Sequence, residues 1–340
     1  SGTRTKYYLN NGDNNPFNEI SSGIEIGPSD SDATLYVGLG DLDGDGDLDL
    51  VSGNNGVDRF YLNDGDANPW DSVASGTVID GASSGATWAL PMLDLDGDSD
   101  LDLVVPSDGL GNRLFLNDTS FTLMSSAVVW ESIGDADAEG TYDITVGDVD
   151  HDGDLDVVAG NDGANRLYLN EGDGDPFSGI VSGIAIGTSD FDFTLAVSLA
   201  DVNGDGNLDL IAGNYINTVN RLYLGNGTSN PFAGIVNGTV IGSSDFDTTQ
   251  SVDVGDVDGD GDLDVIFGND GVNRLYLNNG SSTPFSGIVN GAPVGSLDTD
   301  TTFEIRFGDL DSDGDLDVVA GNYFSQNRTY PGFPILKREH

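Results

Sequence analysis

The 340-residue sequence predicts an all-β fold, a β-propeller of four-stranded blades with acidic loops between strands, and three observations predict it. One acidic segment recurs six times, beginning at Asp41, Asp94, Asp148, Asp201, Asp256 and Asp309, at spacings of 53, 54, 53, 55 and 53 residues. Each copy reads like Asp41-Leu-Asp-Gly-Asp-Gly-Asp-Leu-Asp-Leu-Val, and about eighteen residues after its opening Asp follows a run of the kind at 165–170, Asn-Arg-Leu-Tyr-Leu-Asn. The segments between are short, rich in Val, Ile, Leu, Tyr and Phe and bounded by Gly, Asn, Asp and Ser. None is long or periodic enough for an amphipathic helix.

In chain order, the first full period predicts strands over 34–40, 48–52, 59–63 and 77–79. Four strands in about fifty residues make a blade. Radial repetition buries both faces of each blade against its neighbours and leaves only short edges, whereas a linear solenoid is the alternative stacking. The chain opens with a segment resembling a third strand, 6–10, and ends with another, 327–330. Counting acidic loops predicts six blades. The alternative count is seven, with the surplus terminal strand used in an incomplete blade. Residues 1–340 are read as one propeller domain, with 323–340 as closing strand and tail.

Composition narrows the function. There are 59 Asp and Glu against 11 Lys and Arg, a formal charge of −48, and no Cys. The missing Cys removes disulfides, thiol nucleophiles and Cys-type zinc sites. A chain this acidic repels nucleic acid and anionic lipid, whose binding depends on Lys and Arg contacts. With 37% hydrophobic residues it is no disordered tail, yet no run approaches the roughly 18 apolar residues of a membrane span. The opening Ser1-Gly2-Thr3 shows no signal segment, so an export signal is expected to have been removed or never present.

Within each acidic segment, oxygen-bearing side chains fall on positions one, three, five, seven and nine. These are Asp41, Asp43, Asp45, Asp47 and Asp49; Asp94, Asp96, Asp98, Asp100 and Asp102; and Asp148, Asp150, Asp152, Asp154 and Asp156. The later copies carry Asp201, Asn203, Asp205, Asn207 and Asp209; Asp256, Asp258, Asp260, Asp262 and Asp264; and Asp309, Asp311, Asp313, Asp315 and Asp317. A hard cation such as Ca²⁺ takes six to eight oxygens, and a chain that curls around it supplies them at alternate residues. Position six, Gly46 in the first copy, makes the sharp turn. Position seven is expected to give its carbonyl and position nine to close the site, with Leu48 and Leu50 turned into the blade. An EF-hand would need an acidic ligand at position twelve and a helix after it, but Ser52, Val105, Ala159, Ala212, Phe267 and Ala320 stand there. A merely solvated acidic turn does not account for six copies with Asp or Asn at every ligand position.

Asp-x-Asp-x-Asp-Gly-x-x-Asp before a Leu-Val strand, repeated along a propeller, resembles the FG-GAP/VCBS repeat family, over essentially residues 1–322. That family includes the integrin α-subunit head, certain fungal lectins and propeller polysaccharide lyases. The resemblance implies structural calcium, up to six ions, held by the Asp and Asn residues just named. The fourth loop, with Asn203 and Asn207, carries less charge. The second has Ser99 where glycine is expected in a left-handed turn. Relief of carboxylate repulsion on binding would become folding stability. Six Ca²⁺ would bring −48 only to −36, and the remainder suits a saline setting. The weak affinities of external calcium modules fit an extracellular, secreted or cell-surface location.

Other recurrences read as packing. Arg59, Arg113, Arg166, Arg221, Arg274 and Arg328 occupy one repeat position, and Asp30-x-Asp32-x-Thr34 and its equivalents lie eleven residues before the acidic loops. Each Arg is expected to pair with acids of its own or the next blade rather than form an anion clamp. Phe17, Trp70, Phe177, Phe232 and Phe285 each follow Pro and read as packing residues. Irregularity points to function instead. Trp88 and Trp130 have no equivalents in other blades, and Tyr215 and the pair Tyr323 and Phe324 lie in slightly lengthened connections. Aromatic faces beside Asp, Asn and Arg suit carbohydrate, so these four positions, Trp88, Trp130, Tyr215 and Tyr323, are the candidate ligand residues.

Together these readings predict a calcium-stabilised extracellular binding module for a glycan or an extracellular protein ligand, lectin-like or adhesive. One competing class is a polysaccharide lyase or hydrolase. It would need a positioned base, but His151 lies inside the third loop, His340 is terminal, and Tyr142 or Tyr215 beside an Arg has no supporting motif. No carboxylate pair stands apart from the repeats, so no catalytic residue is assigned. The other is an integrin-like interaction head, which needs a metal site with an open position. The second loop is its candidate.

Overall fold

A computed structural model describes residues 5–8, 22–79, 86–107, 111–117, 131–137, 139–172, 174–215, 217–295, 298–323 and 325–331. Two short strands come first, β1 (Lys6–Tyr7) and β2 (Ile24–Glu25), paired antiparallel in a sheet of their own. Blade one follows as β3 (Ala33–Gly40), β4 (Asp49–Asn55), β5 (Arg59–Tyr61) and β6 (Thr77–Val78). Blade two is β7 (Met92–Leu93), β8 (Asp102–Val105), β9 (Asn112–Phe115) and β10 (Glu131–Ile133), and blade three β11 (Thr141–Gly147), β12 (Asp156–Asn161), β13 (Asn165–Tyr168) and β14 (Ile184–Ile186). Blade four is β15 (Thr194–Ala200), β16 (Asp209–Asn214), β17 (Asn220–Tyr223) and β18 (Thr239–Ile241), and blade five β19 (Thr249–Gly255), β20 (Asp264–Asn269), β21 (Asn273–Tyr276) and β22 (Ala292–Val294). Blade six has three described strands, β23 (Thr302–Gly308), β24 (Asp317–Asn322) and β25 (Arg328–Tyr330).

The chain is thus an all-β propeller of six antiparallel blades in simple up-and-down order. The predicted first-period strands match β3 to β6 to within three residues at each boundary. The terminal segments behave differently from each other: 328–330 completes the third strand of blade six, whereas β1 pairs with β2 outside the six blades.

The second strand of each blade is the core, as expected of a strand covered on both faces. Its Leu, Val, Ile and Ala residues are buried, save the half-buried Val319 of blade six, and pack blade on blade, for example Leu95, Val104, Leu114 and Ile133 against Ile144, Val157, Tyr168 and Phe177. The inner strands of successive blades lie side by side around a central channel without a ladder of their own. Side chains staple them instead. Asp143 accepts the Val197 amide at 2.8 Å, Ser251 the Ile305 amide at 3.1 Å, and Asp253 the Phe307 amide at 2.6 Å.

The repeated Arg residues pair within their own period, as the packing reading requires: Arg166 with Asp137 and Glu139, Arg274 with Asp245 and Asp247. Each first carboxylate of these pairs also accepts the third-strand tyrosine hydroxyl, Tyr168 on Asp137 at 2.9 Å and Tyr276 on Asp245 at 2.5 Å. The aromatics after Pro are buried at Trp70, Phe177, Phe232 and Phe285, while Phe17 lies outside the described residues.

Candidate functional site

The acidic loops join the inner strand to the second strand of every blade, so all six lie at one end of the channel. Their curl is set by backbone geometry and short side-chain bonds. Position six is left-handed throughout, with φ of 95° at Gly46, 102° at Gly153 and 94° at Gly314, and Ser99 adopts 81° in the second loop. Position four is left-handed too, a feature not foreseen from the sequence, and His151 and Ser312 hold it at 65° and 64° where other loops have glycine. The amide of position six donates to the first Asp in each loop, as Gly46 does to Asp41 at 3.0 Å and Ser99 to Asp94 at 2.9 Å.

This curl gathers carboxylates. Oxygens of Asp41, Asp43 and Asp45 lie within 4.8 Å of one another, as do those of Asp148, Asp150 and Asp152 and of Asp256, Asp258 and Asp260. Asp94 and Asp96 gather with Asp102, and Asp309 and Asp311 with Asp317. Position nine therefore joins the cluster in two loops. In every loop one of its oxygens accepts the amide of position two, as Asp49 does from Leu42 at 2.8 Å. Burial lifts the carboxyls of Asp49 to about 6 and of Asp102 to about 7, against two amide bonds each and with help from the acids at positions three and five. The position-seven side chains fold against the glycine of the third-to-fourth-strand turn, Asp47 beside Gly65 and Asp262 beside Gly280, and stand outside the clusters. Leu50 is buried as expected, but Leu48 is exposed, a correction explained by its place at the seam between blades six and one: Leu101, Leu208 and Leu316 lie against Gly40, Gly147 and Gly255 of the preceding blade, whereas no described residue lies within 4 Å of a Cβ on Gly308.

The clusters fit a hard cation. Besides the convergent oxygens, Asp41 Oδ1 and Asp148 Oδ1 are buried with no hydrogen-bond donor of the protein reaching them. A buried carboxylate oxygen without a donor is costly unless a cation or water meets it.

The opposite end of the channel differs in chemistry. A cavity of 740 Å³ runs between the six inner strands and opens among aromatic rings. Trp88 stacks on Phe303 at 6.2 Å, Phe303 meets Tyr323 edge-on at 5.0 Å, and Phe193 touches Tyr142 at 4.6 Å and Tyr215 at 5.3 Å. Trp88, Tyr215 and Tyr323, picked out by irregularity, thus sit at one mouth, and all three are exposed, Trp88 at 39%. Trp130 and Phe324 lie outside the described residues. Phe193 and Phe303 were not anticipated. The register shows the missed signal for Phe303, which directly follows the Thr that opens its inner strand, as Tyr142 follows Thr141 and as Trp88 follows Thr87 ahead of β7.

Deeper in the channel stand Asp143, Asp253, Glu304 and Arg306. Glu304 pairs with Arg306 at 2.5 Å, and Arg306 donates to the Ile305 and Val252 carbonyls. Burial raises the Asp143 carboxyl to about 7, opposed by its bonds from Val197 and Ile144 and reinforced by Glu304. Three carboxylates against one guanidinium give this wall a negative balance. The mouth can therefore stack on an apolar ring face while offering acceptors to hydroxyl and N–H groups.

Fold and loops define the class, an acidic-loop β-propeller. The chain belongs to the FG-GAP-like repeat family, whose model matches residues 41–105, 94–159, 148–212, 201–267 and 256–320. No curated protein matches the sequence. Among solved structures the chain is similar to BBS1N in a complex with ARL6DN, at 10% identity, covering 90% of this chain and 80% of that one, with a TM-score of 0.50. It is also similar to a chain of a humanized Chaetomium thermophilum Polycomb Repressive Complex 2, at 11% identity over 88% and 67% of the two chains, TM-score 0.55. An Agrocybe aegerita lectin specific for non-reducing terminal N-acetylglucosamine matches at 18% identity over 85% and 75%, TM-score 0.44. At these identities the likeness concerns fold alone. Among the described residues no helix is long and apolar enough to cross a membrane.

Proposed function

We propose that the protein is a calcium-stabilised extracellular binding module that takes a glycan at the aromatic mouth of its channel. The observation that carries this reading is the convergence of exposed Trp88, Tyr215 and Tyr323 with Phe193 and Phe303 around one opening, above the acids and guanidinium of the channel wall. Sugar rings stack on aromatic faces, and hydroxyls are read by carboxylates and Arg. The calcium loops, at the far end of the channel, hold blades in place and take no part in contact. Position-one and position-three residues, with position five or position nine, would hold the ions, which supply charge neutralisation and cross-linking of the loop.

A glycan array in millimolar Ca²⁺ and in EDTA tests this directly. The expected result is selective binding that disappears with EDTA as the fold loosens and is lost in Trp88→Ala with calcium present. Calcium-dependent capture of a protein ligand without glycan binding would replace the glycan reading with an adhesive one.

A further inference from the structure

The channel wall below the aromatic mouth is layered. In blades three, five and six the first, second and fourth residues after the opening Thr line the cavity, while the third, Ile144, Val252 or Ile305, is buried between blades. The first layer carries the rings Tyr142 and Phe303. The second carries Asp143 and Glu304 with Ser251, and the deepest carries Asp253 and Arg306 with Thr145. By the rise of a strand, the second layer lies about 3.3 Å below the rings and the deepest about 10 Å.

Charge in this wall is unbalanced. Among the described residues lining the cavity Arg306 is the one that is basic, and its guanidinium is engaged: it pairs with Glu304 and lies on the Ile305 and Val252 carbonyls at 2.9 and 3.2 Å. Asp143 and Asp253 are bonded too, but to the Val197 and Phe307 amides of the following blade, and an amide carries no net charge. Two carboxylate charges are left facing the cavity. Burial holds the Asp143 carboxyl up at about 7 and Glu304 adds to the lift, which the engaged Arg306 offsets only in part. These acids are also spread, unlike those of the loops. Among the described residues, every set of three acidic side chains with oxygens within 4.8 Å of one another belongs to an acidic loop, and none includes Asp143, Asp253 or Glu304. A bare metal ion needs convergent oxygens. Spread carboxylates beneath aromatic faces instead match an organic cation, whose ammonium is drawn to ring faces as well as to carboxylates. An anionic sugar would meet repulsion from the same wall.

We propose that the glycan taken at the mouth is an amino sugar whose amine is free, stacked on the rings with its ammonium turned down toward Asp143 and Glu304. This rests on the glycan reading above and narrows it to a cationic class. A sugar ring seated on Trp88 or Phe303 stands one strand residue above the second layer, so a substituent on the ring reaches that layer without the sugar leaving the aromatic faces.

The experiment compares a glucosamine trisaccharide with its N-acetylated form and with the matching glucose trisaccharide, by calorimetry on the full chain in millimolar Ca²⁺. Stacking is open to all three, and only the first carries ammonium groups. The expected result is that the first binds at least about tenfold tighter than the other two, by a margin that added salt narrows. Glu304→Gln should cut the affinity for the first about tenfold and leave the neutral sugars unchanged, whereas Trp88→Ala should weaken all three. Asp253→Asn keeps an acceptor for the Phe307 amide and, lying deeper, should reduce the preference by a smaller factor. Asp66→Asn, on an exposed turn outside the channel, is the control for the chain's overall charge. If it weakens the first sugar as much as Glu304→Gln does, the preference belongs to net charge and the proposal is overturned. Equal binding of the three trisaccharides, or an array that answers only to sugars without an amine, overturns it and leaves the glycan reading standing. An array with no bound glycan removes both. Trilysine bound through Glu304, with no sugar bound, would give the channel to a basic peptide and likewise overturn it.

Discussion

The two ends of the channel are made from the same six inner strands, yet one is uniform and the other is not. At the loop end, six copies present Asp or Asn at the same positions on the same turn, down to the position-six amide bonded to the first Asp. At the mouth, the residue after the opening Thr is Leu35, Trp88, Tyr142, Leu195, Gln250 or Phe303, different in almost every blade. Repetition marks what every blade needs in order to fold. Departure from it marks a surface that meets something without sixfold symmetry.

The largest test of this division is metal removal. EDTA should lower the melting point by more than about 10 °C, since a site held at ten times its Kd contributes about 1.4 kcal/mol and there are six. Glycan contacts should fail only through the fold. Next comes Asp245→Ala, which strands the buried Tyr276 hydroxyl, the Gly291 amide and Arg274 together. It should cost about 3 kcal/mol in urea unfolding while calcium stoichiometry stays the same. Trp88→Ala should do the reverse, cutting glycan affinity about tenfold with little change in melting, because the ring is exposed. If it instead destabilises the fold as Asp245→Ala does, the two ends are not separable.

Two smaller effects sharpen the comparison. With its carboxyl raised to about 7, Asp143 stabilises the folded state fully below the usual carboxylate pKa, and that contribution is lost as pH rises through 7. In saturating calcium, stability should therefore fall between about pH 4 and 7, by no more than about 1.4 kcal/mol per unit, and Asp143→Asn should flatten the slope. A slope unchanged in the variant would remove Asp143 from the account. Ser99→Gly, which relieves a left-handed φ of 81°, should add up to about 1 kcal/mol and tighten calcium binding in the second loop alone.

The fold was legible because blade strands and acidic turns are local: alternating aspartates and a glycine at position six dictate the curl wherever they occur. The mouth was half legible. Trp88, Tyr215 and Tyr323 showed as irregular residues, but Phe193 and Phe303 sit among ordinary strand residues, and only the register relative to Thr194 and Thr302 brings them to the opening. The seam between blades six and one was legible only as the alternative of an incomplete seventh blade, and its exposed side chains were not. Leu42 and Leu310 occupy the same repeat position with the same side chain, and what separates buried from exposed is the neighbouring blade, which no local pattern contains.

The asparagine bonds between blades carry one more consequence. Asn117, Asn170 and Asn278 each clasp the second residue of the preceding blade's acidic loop, at 2.7 to 2.9 Å. An ion that straightens or tightens one loop therefore pulls on the third strand of the next blade, whose end is tied by the same Asp at position nine that curls that blade's own loop. Under the proposed calcium binding, filling one loop would prepare the next, and the ring would be whole above a narrow range of calcium concentration and slack below it. Blade four, where Gly225 replaces that asparagine, is where such a wave would break.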